Sequence, residues 1–377
     1  MAKPEAWDVA IAGAGIIGCA CAAAAAEAGL RTLLIEAGVP GGGTTAAGMG
    51  HIVAMDDSPA QFALTRYSQQ LWQQLAPELP RQVEYERCGT LWLAGDEDEW
   101  RLAAAKREAY RAQGVPAEML DARALAAAEP HLRPGLAGAM LAPEDGVLYP
   151  PAAAKFFLDR ARARGARLLA GECQRIEARG LRLRDGTQVA AGEVIIATGT
   201  RAAELAPGAA IAPRKGHLLI TDRYPGRLHH QLVELGYLRS AHALSEDSVA
   251  FNLQPRLSGQ ILIGSSRQFG AATAEVEPAM LARMLQRAIE FMPGLAAMSC
   301  VRAWTGFRPA TPDKLPLIGP VEDPPHVWLA AGHEGLGITT ATGTAALLLA
   351  QLTGQAAAIP YTPYLPSRKT EAVLEHA

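Results

Sequence analysis

The stretch DVAIAGAGIIGCACAAAAAEAGLRTLLIE, residues 8–36, leaves this chain the fewest choices of fold. Val9 to Ala12 carries the branched and small residues of a buried strand, and Gly13, Gly15 and Gly18 follow at once. Ile16 to Ala28 is nearly all helix-favouring alanine and stops at Gly29, and Leu30 to Ile35 is a second strand ending at Glu36. Strand, glycine turn, helix and strand make a βαβ unit. Each glycine has a task in it: Gly13 makes the tight turn, Gly15 offers no Cβ to block a pyrophosphate, and Gly18 lets the helix lie close to the sheet. Phosphates then meet the unpaired N–H groups and positive dipole of the helix N-terminus. Glu36 stands 18 residues beyond Gly18 (36 − 18), where an acidic side chain takes ribose hydroxyls and repels a 2′-phosphate. The residues specify a dinucleotide site, for FAD or for NAD.

The same stretch does not read as a secretory leader. The preceding MAKPEAWD sets Lys3 against Glu5 and Asp8, and glycines interrupt the apolar run, whereas a leader needs a basic flank and an unbroken apolar core. No other stretch has the ~18 apolar residues of a membrane span. With 35 basic against 38 acidic residues, nothing steers the chain toward nucleic acid or an anionic surface. The five cysteines, Cys19, Cys21, Cys88, Cys173 and Cys300, form no C-x-x-C pair. That counts against a disulfide framework and a zinc site, so no metal is expected and the cytoplasm is the expected location.

Further along, GVPGGGTTAAGMGHI (38–52) is either a flexible connector or a loop in which Thr44, Thr45 and backbone N–H groups meet the cofactor. Ser58 to Leu75 has helical periodicity, with Phe62, Leu64, Leu71, Trp72 and Leu75 as core anchors. CGTLWL (88–93) is strand-like, and two charged alanine-rich stretches, Glu97 to Gln113 and Asp121 to Ala128, read as solvated helices. Tyr149 to Arg164 is another amphipathic helix; it leads to a hairpin turn at Asp185-Gly186 and a buried strand, Glu193 to Ala197, ending in Thr198-Gly199. From Lys215 to Ser265 the period becomes two, which suggests a separate antiparallel sheet. A helix from Pro278 to Met292 follows, and Val327 to Gly354 is a strand, a glycine turn and a long apolar helix, a second helix N-terminus aimed at something electron-rich.

Taken together, GAGIIG with Glu36, GGTTAAGMG, EPHLRPGLAGAMLAPEDGVLYP (129–150), IIATG, PRKGHLLI, WTGFRPATPDKLPLIG and GHEGLGIT resemble the D-amino-acid oxidase superfamily of FAD-dependent oxidoreductases. The resemblance spans essentially the whole chain. It implies an α/β (α+β overall) fold: a Rossmann-type FAD-binding domain from residues 1–80, 141–213 and 306–377, and a discontinuous antiparallel-sheet substrate domain from 81–140 and 214–305. It decides for FAD over NAD, held without a covalent bond because no cysteine sits beside WTGFRP. It assigns the cofactor to Gly13, Gly15, Ile16, Ile17, Gly18, Glu36 and Ala37, then to the loop residues Thr44, Thr45, Gly48, Met49 and Gly50. Cys173, Ala197, Thr198 and Gly199 follow, with Gly332, Gly335, Leu336, Gly337, Ile338 and Thr339 at the last helix.

In such a fold Arg308 clamps the substrate carboxylate in a bidentate fork, which its planar, permanently charged guanidinium suits. Asn252, Met49 and His51 complete the substrate contacts. Pinning the carboxylate turns the α-carbon hydrogen toward flavin N5 for hydride transfer. His51, His217 and His333 read as structural rather than as acid or base. Two positions depart from glycine oxidases: Asn252 stands where a tyrosine is expected, and Gly335 where an arginine is expected. AFNLQPRLSGQILIGSSRQF (250–269) reads more like the β-like branch of D-hydroxyproline dehydrogenases. The favoured reading is oxidation of D-hydroxyproline, D-proline or another D-amino acid, with electrons passing to a partner subunit or a quinone. The alternatives are a glycine/sarcosine-type oxidase producing hydrogen peroxide, and a flavin β-subunit that works only in a hetero-oligomer. A tRNA-modifying role on the same fold is disfavoured by the charge balance.

Overall fold

The computed structural model describes residues 6–236, 247–271 and 273–368. The first five residues, part of the leader reading, lie outside these. Two sheets organise the chain. The first has six strands in the order Leu317–Pro320, Val327–Ala331, Ala191–Ile196, Trp7–Ala12, Thr32–Glu36, Arg167–Ala170. All its pairings are parallel except that of the two last strands in the chain. Trp7–Ala12 therefore lies in the middle, with Val9 opposite Thr32 on one side and Glu193 on the other, and its carboxyl end opens into the glycine turn.

The alanine run becomes the helix Ile16–Glu27, and nine of its residues are buried. Small side chains explain how: the helix packs at once against Pro150–Ala163 and Gly337–Thr353, and only residues of alanine size admit two neighbours so closely. Pro59–Leu75 starts at Ser58, whose hydroxyl accepts from the Gln61 N–H. Phe62, Leu64 and Trp72 are buried as anticipated, whereas Leu71 and Leu75 are only half-buried. The helix also buries a polar face unseen in the periodicity. Ser68 and Leu64 lie against Gly343 of the last helix, where a Cβ would come within 2.2 Å of Ser68 Oγ.

The second sheet has eight strands, Cys300–Ala310, Ala212–Arg223, Gln260–Arg267, Ser248–Pro255, Gln231–Glu234, Thr90–Ala94, Gly138–Ala142 and Glu118–Asp121 in spatial order. The period-two region supplies its centre. One face packs on the helix Pro278–Phe291 through Leu91, Leu93, Leu219, Leu232, Phe251, Leu253, Ile261 and Ile263. The other face meets the first sheet's domain. The 140/141, 213/214 and 305/306 boundaries of the expected domain division fall inside strands of this eight-stranded sheet. One helix differs from expectation: Glu97–Ala112 is not simply solvated, because Lys106 is buried, paired with Asp56, and stacked 4.3 Å from the Trp92 ring centre.

Asp145 is fully buried beside the helix Pro59–Leu75. Its Oδ1 accepts from Ala54 N–H at 3.2 Å and from Gln69 Nε2 at 2.9 Å, and Oδ2 has no partner among the described residues. Burial pushes its pKa up to about 7 from an ordinary 3.8. A raised folded-state value means the stability is present at low pH and lost as pH climbs through about 7. Asp145→Asn keeps the Oδ1 acceptor and carries no charge. Its Tm relative to wild type rises between about pH 5.5 and 8.5, by roughly 3 °C or more. An equal effect at both pH values in thermal melts would contradict this.

Candidate active site

A cavity of about 750 Å³ runs between the two sheets, within the range of ligand and cofactor pockets. At one end are the first glycine turn and the first helix. Gly13 has φ +100°, and a Cβ there would lie 2.6 Å from the Ala197 carbonyl oxygen, so turn and neighbouring strand meet only without a side chain. Gly15 is extended, and its Cβ would meet only Thr45 Oγ1, at 3.3 Å. Thr45 Oγ1 in turn accepts from Ile16 N–H at 3.0 Å, which fastens the glycine-rich loop to the helix N-terminus. The N-cap residue Gly15 has no side chain to cap that helix, and no acidic residue stands in its first turn, which leaves the N–H groups beyond Ile16 fit for an anion. Glu36 lines the cavity. Its oxygens accept from Ala14 N–H at 2.7 Å and Gly38 N–H at 2.8 Å, and each keeps a lone pair for a hydroxyl.

Of the expected cofactor residues, Gly13, Gly15, Ile16, Ile17, Glu36, Ala37, Thr44, Thr45, Gly48, Met49, Cys173, Ala197, Thr198, Gly199, Gly335, Leu336, Gly337 and Ile338 line this cavity. Thr198 Oγ1 is buried without a partner among the described residues, a hydroxyl fit for a ligand's hydrogen bond. Four expected residues stand off the cavity wall. Gly18 lies behind the turn, where a Cβ would come within 1.8 Å of the Gly13 carbonyl oxygen. Gly50 packs on Leu148, and Gly332 on Thr311. Thr339 is fully buried and spends its hydroxyl on the His51 carbonyl at 2.9 Å. All four shape the cavity's supports rather than its wall.

The opposite end is floored by the eight-stranded sheet. Because Phe251 and Leu253 turn to the helix side, Asn252 faces the cavity. It belongs to a cross-strand row: Trp92 pairs with Val233, Val233 with Asn252, Asn252 with Gly264, and Leu218 with Trp304. Met49 covers the middle of the row, with Sδ 2.9 Å from where a Gly264 Cβ would stand. On the edge strand, Arg302 and the run from Trp304 to Pro309 line the cavity.

Arg308 donates from Nη1 to the Ser266 carbonyl at 2.9 Å. Its guanidinium lies over Gly216, and its Nε and Cδ each come 3.8 Å from where a Gly335 Cβ would stand, beside the last helix's N-terminus. His51 is on the wall nearby. Burial, reinforced by the Arg308 charge, lowers its pKa to about 4, so the ring is neutral at neutral pH. His333 also lines the cavity; it is buried, and its Nε2 pairs with Thr344 Oγ1 at 2.9 Å. Cys173 keeps its proton, since burial raises its pKa to about 11. No cluster able to hold a metal occurs among the described residues.

The chain matches the family described as FAD dependent oxidoreductase over residues 8–352. It belongs to that family. Glycine oxidase of Pseudomonas aeruginosa is 29% identical over 380 residues, covering 95% of this chain and 98% of that one. Hydrogen cyanide synthase subunit HcnC of the same species is 26% identical, covering 96% of each. The crystal structure of glycine oxidase from Geobacillus kaustophilus superposes with a TM-score of 0.88 at 26% identity, covering 97% of this chain and 99% of that one. The fold is thus that of the D-amino-acid oxidase-like flavoproteins, the protein is an oxidoreductase, and its cofactor is FAD. The cradle residues fit that cofactor: a Cβ-free approach at Gly13 and Gly15, a helix N-terminus with no acidic residue in its first turn, and Glu36 beyond it. Among the described residues no helix is long and apolar enough to cross a membrane.

Proposed function

We propose that this FAD-dependent oxidoreductase oxidises the C–N bond of a small amino or imino acid, with D-hydroxyproline or D-proline favoured, and binds the substrate carboxylate through Arg308. Non-covalently bound FAD supplies the two-electron acceptor. The observation that carries the reading is the placement of Arg308: of the arginines on the cavity wall, it is the one whose guanidinium lies over Gly216 beside the turn at Gly335, on a wall shared with Met49, Leu218 and Trp304. Such a fork pairs with a carboxylate bidentately and fixes the α-carbon in place. His51, neutral and weakly basic, is a poor proton acceptor, so loss of the ammonium proton falls to desolvation of the amine. Asn252 Oδ1 is buried on the cavity floor with no partner among the described residues, which suits a substrate hydroxyl and favours the hydroxylated ring. All five cysteines are free thiols, in keeping with work in the cytoplasm.

A second reading rests on the glycine oxidase relatives: an oxidase of glycine or sarcosine that makes hydrogen peroxide. The likeness to a synthase subunit adds a variant in which a partner subunit or a quinone takes the electrons. Oxygen uptake and dye reduction by the purified holoprotein separate these. Cyclic D-imino acids are expected to drive dye reduction with little oxygen uptake. Sustained hydrogen peroxide formation from glycine or sarcosine would replace the first reading with the second.

A further inference from the structure

We infer that Gly216 and His217 are positioning residues that fix the height and direction of the Arg308 guanidinium; this rests on the reading of Arg308 as the carboxylate-binding group. In the pairing of Ala212–Arg223 with Cys300–Ala310, Gly216 stands opposite Gly306, and Arg214 opposite Arg308. The Arg308 side chain folds back across the neighbouring strand onto Gly216. A Cβ there would lie 2.6 Å from Nη2 and 2.8 Å from both Cζ and Nη1. Ordinary contact needs ~3.5 Å or more, so any side chain at 216 lifts the guanidinium by about 1 Å. At Gly306 the corresponding Cβ would instead meet Ala47 of the glycine-rich loop, at 2.4 Å. Two facing glycines thus have separate tasks, one seating the loop and the other the charge.

The guanidinium is held down by the Ser266 carbonyl, to which Nη1 donates at 2.9 Å. Ser266 is itself fixed by His217, which is fully buried and absent from the cavity wall. Ser266 Oγ accepts from the His217 backbone N–H at 2.9 Å, and His217 Nδ1 lies 3.0 Å from the same oxygen. His217 Nε2 accepts from the Glu277 N–H at 3.1 Å. With Nε2 accepting, the network assigns the proton to Nδ1, which donates to Ser266. Charged groups around the ring are Lys215, Glu277 and Arg308; burial, then Lys215, lower its pKa and keep it neutral. Lys215 is buried too and donates to Glu277 Oε1 at 2.8 Å. The run from Glu277 through His217 and Ser266 to Arg308 therefore sets a charge that it does not itself expose to substrate.

The test uses flavin-loaded Gly216→Ala, His217→Leu and His217→Asn proteins beside wild type. Their affinity for pyrrole-2-carboxylate, a planar carboxylate with no α-hydrogen to give up, is read from the shift of the flavin's visible band. Thermal stability, KM and kcat are measured on the same samples. Gly216→Ala and His217→Leu are expected to weaken carboxylate binding at least ~10-fold, given that a 1 Å misplacement costs up to ~100-fold, with the larger part of the loss in KM. His217→Asn, whose amide N–H replaces Nδ1–H, is expected to retain affinity within about 3-fold. Wild-type affinity in Gly216→Ala and His217→Leu would overturn the positioning role alone. So would loss in His217→Asn equal to that in His217→Leu. A wild-type protein that binds no carboxylate would overturn the reading of Arg308, and this inference with it.

Discussion

Arg308→Ala lowers kcat/KM for the amino- or imino-acid substrate at least ~100-fold, the cost of losing a charged, hydrogen-bonded pair in a desolvated site. The reason is geometric. Arg308 shares the wall with Met49, Leu218 and Trp304, and its guanidinium lies over a glycine rather than reaching into solvent. Flavin content should stay near wild type, because the glycine turn and Glu36 occupy the other end of the cavity. Arg308→Lys should recover little, since a single ammonium replaces the planar fork. Steady-state kinetics on both variants checks this, and near-wild-type kcat/KM in Arg308→Ala would remove the carboxylate clamp from the account.

Gly15→Val yields a folded protein that is purified nearly colourless, with FAD affinity reduced at least ~10-fold, as overfilling a packed contact costs 1–3 kcal/mol. The position separates binding from turn geometry. Gly15 has φ −67°, which any residue adopts, and its Cβ meets only a threonine hydroxyl. What a branched side chain does obstruct is the space in front of the helix N-terminus. Gly13→Val would not discriminate, because the strained turn against Ala197 fails together with the site. Absorbance at the flavin band relative to protein, with circular dichroism for the fold, checks the expectation. Stoichiometric flavin in Gly15→Val would contradict the cradle.

The first βαβ unit was legible because its chemistry is local: strand, turn glycines and Glu36 lie within 29 consecutive residues, 8–36. The period-two stretch likewise announced antiparallel strands between Lys215 and Ser265. What sequence could not show was how far that sheet extends. Thr90–Ala94, Gly138–Ala142 and Glu118–Asp121 join it across long loops, and such pairings leave no trace in spacing. Asn252 and Met49 were anticipated at the cavity floor, but the rest of that floor was hidden for the same reason. Trp92, Val233, Asn252 and Trp304 become neighbours only through register, although alternation back from Arg308 does point to Trp304 and Arg302. Asp145 and Lys106 were missed because charged residues read as solvated until a fold buries them. Gly18, Gly50, Gly332 and Thr339 stand behind the wall because a motif names contiguous residues, whereas a cavity is lined by those facing it.

The most direct test of the central claim is an anaerobic titration of the purified holoprotein, following the flavin's visible band. D-proline, cis-4-hydroxy-D-proline, D-alanine, glycine and sarcosine would be added in turn. The account predicts that a cyclic D-imino acid bleaches the band and that Arg308→Ala abolishes the response at the same concentration. Bleaching that survives in Arg308→Ala, or a flavin that none of these compounds reduces, would contradict it.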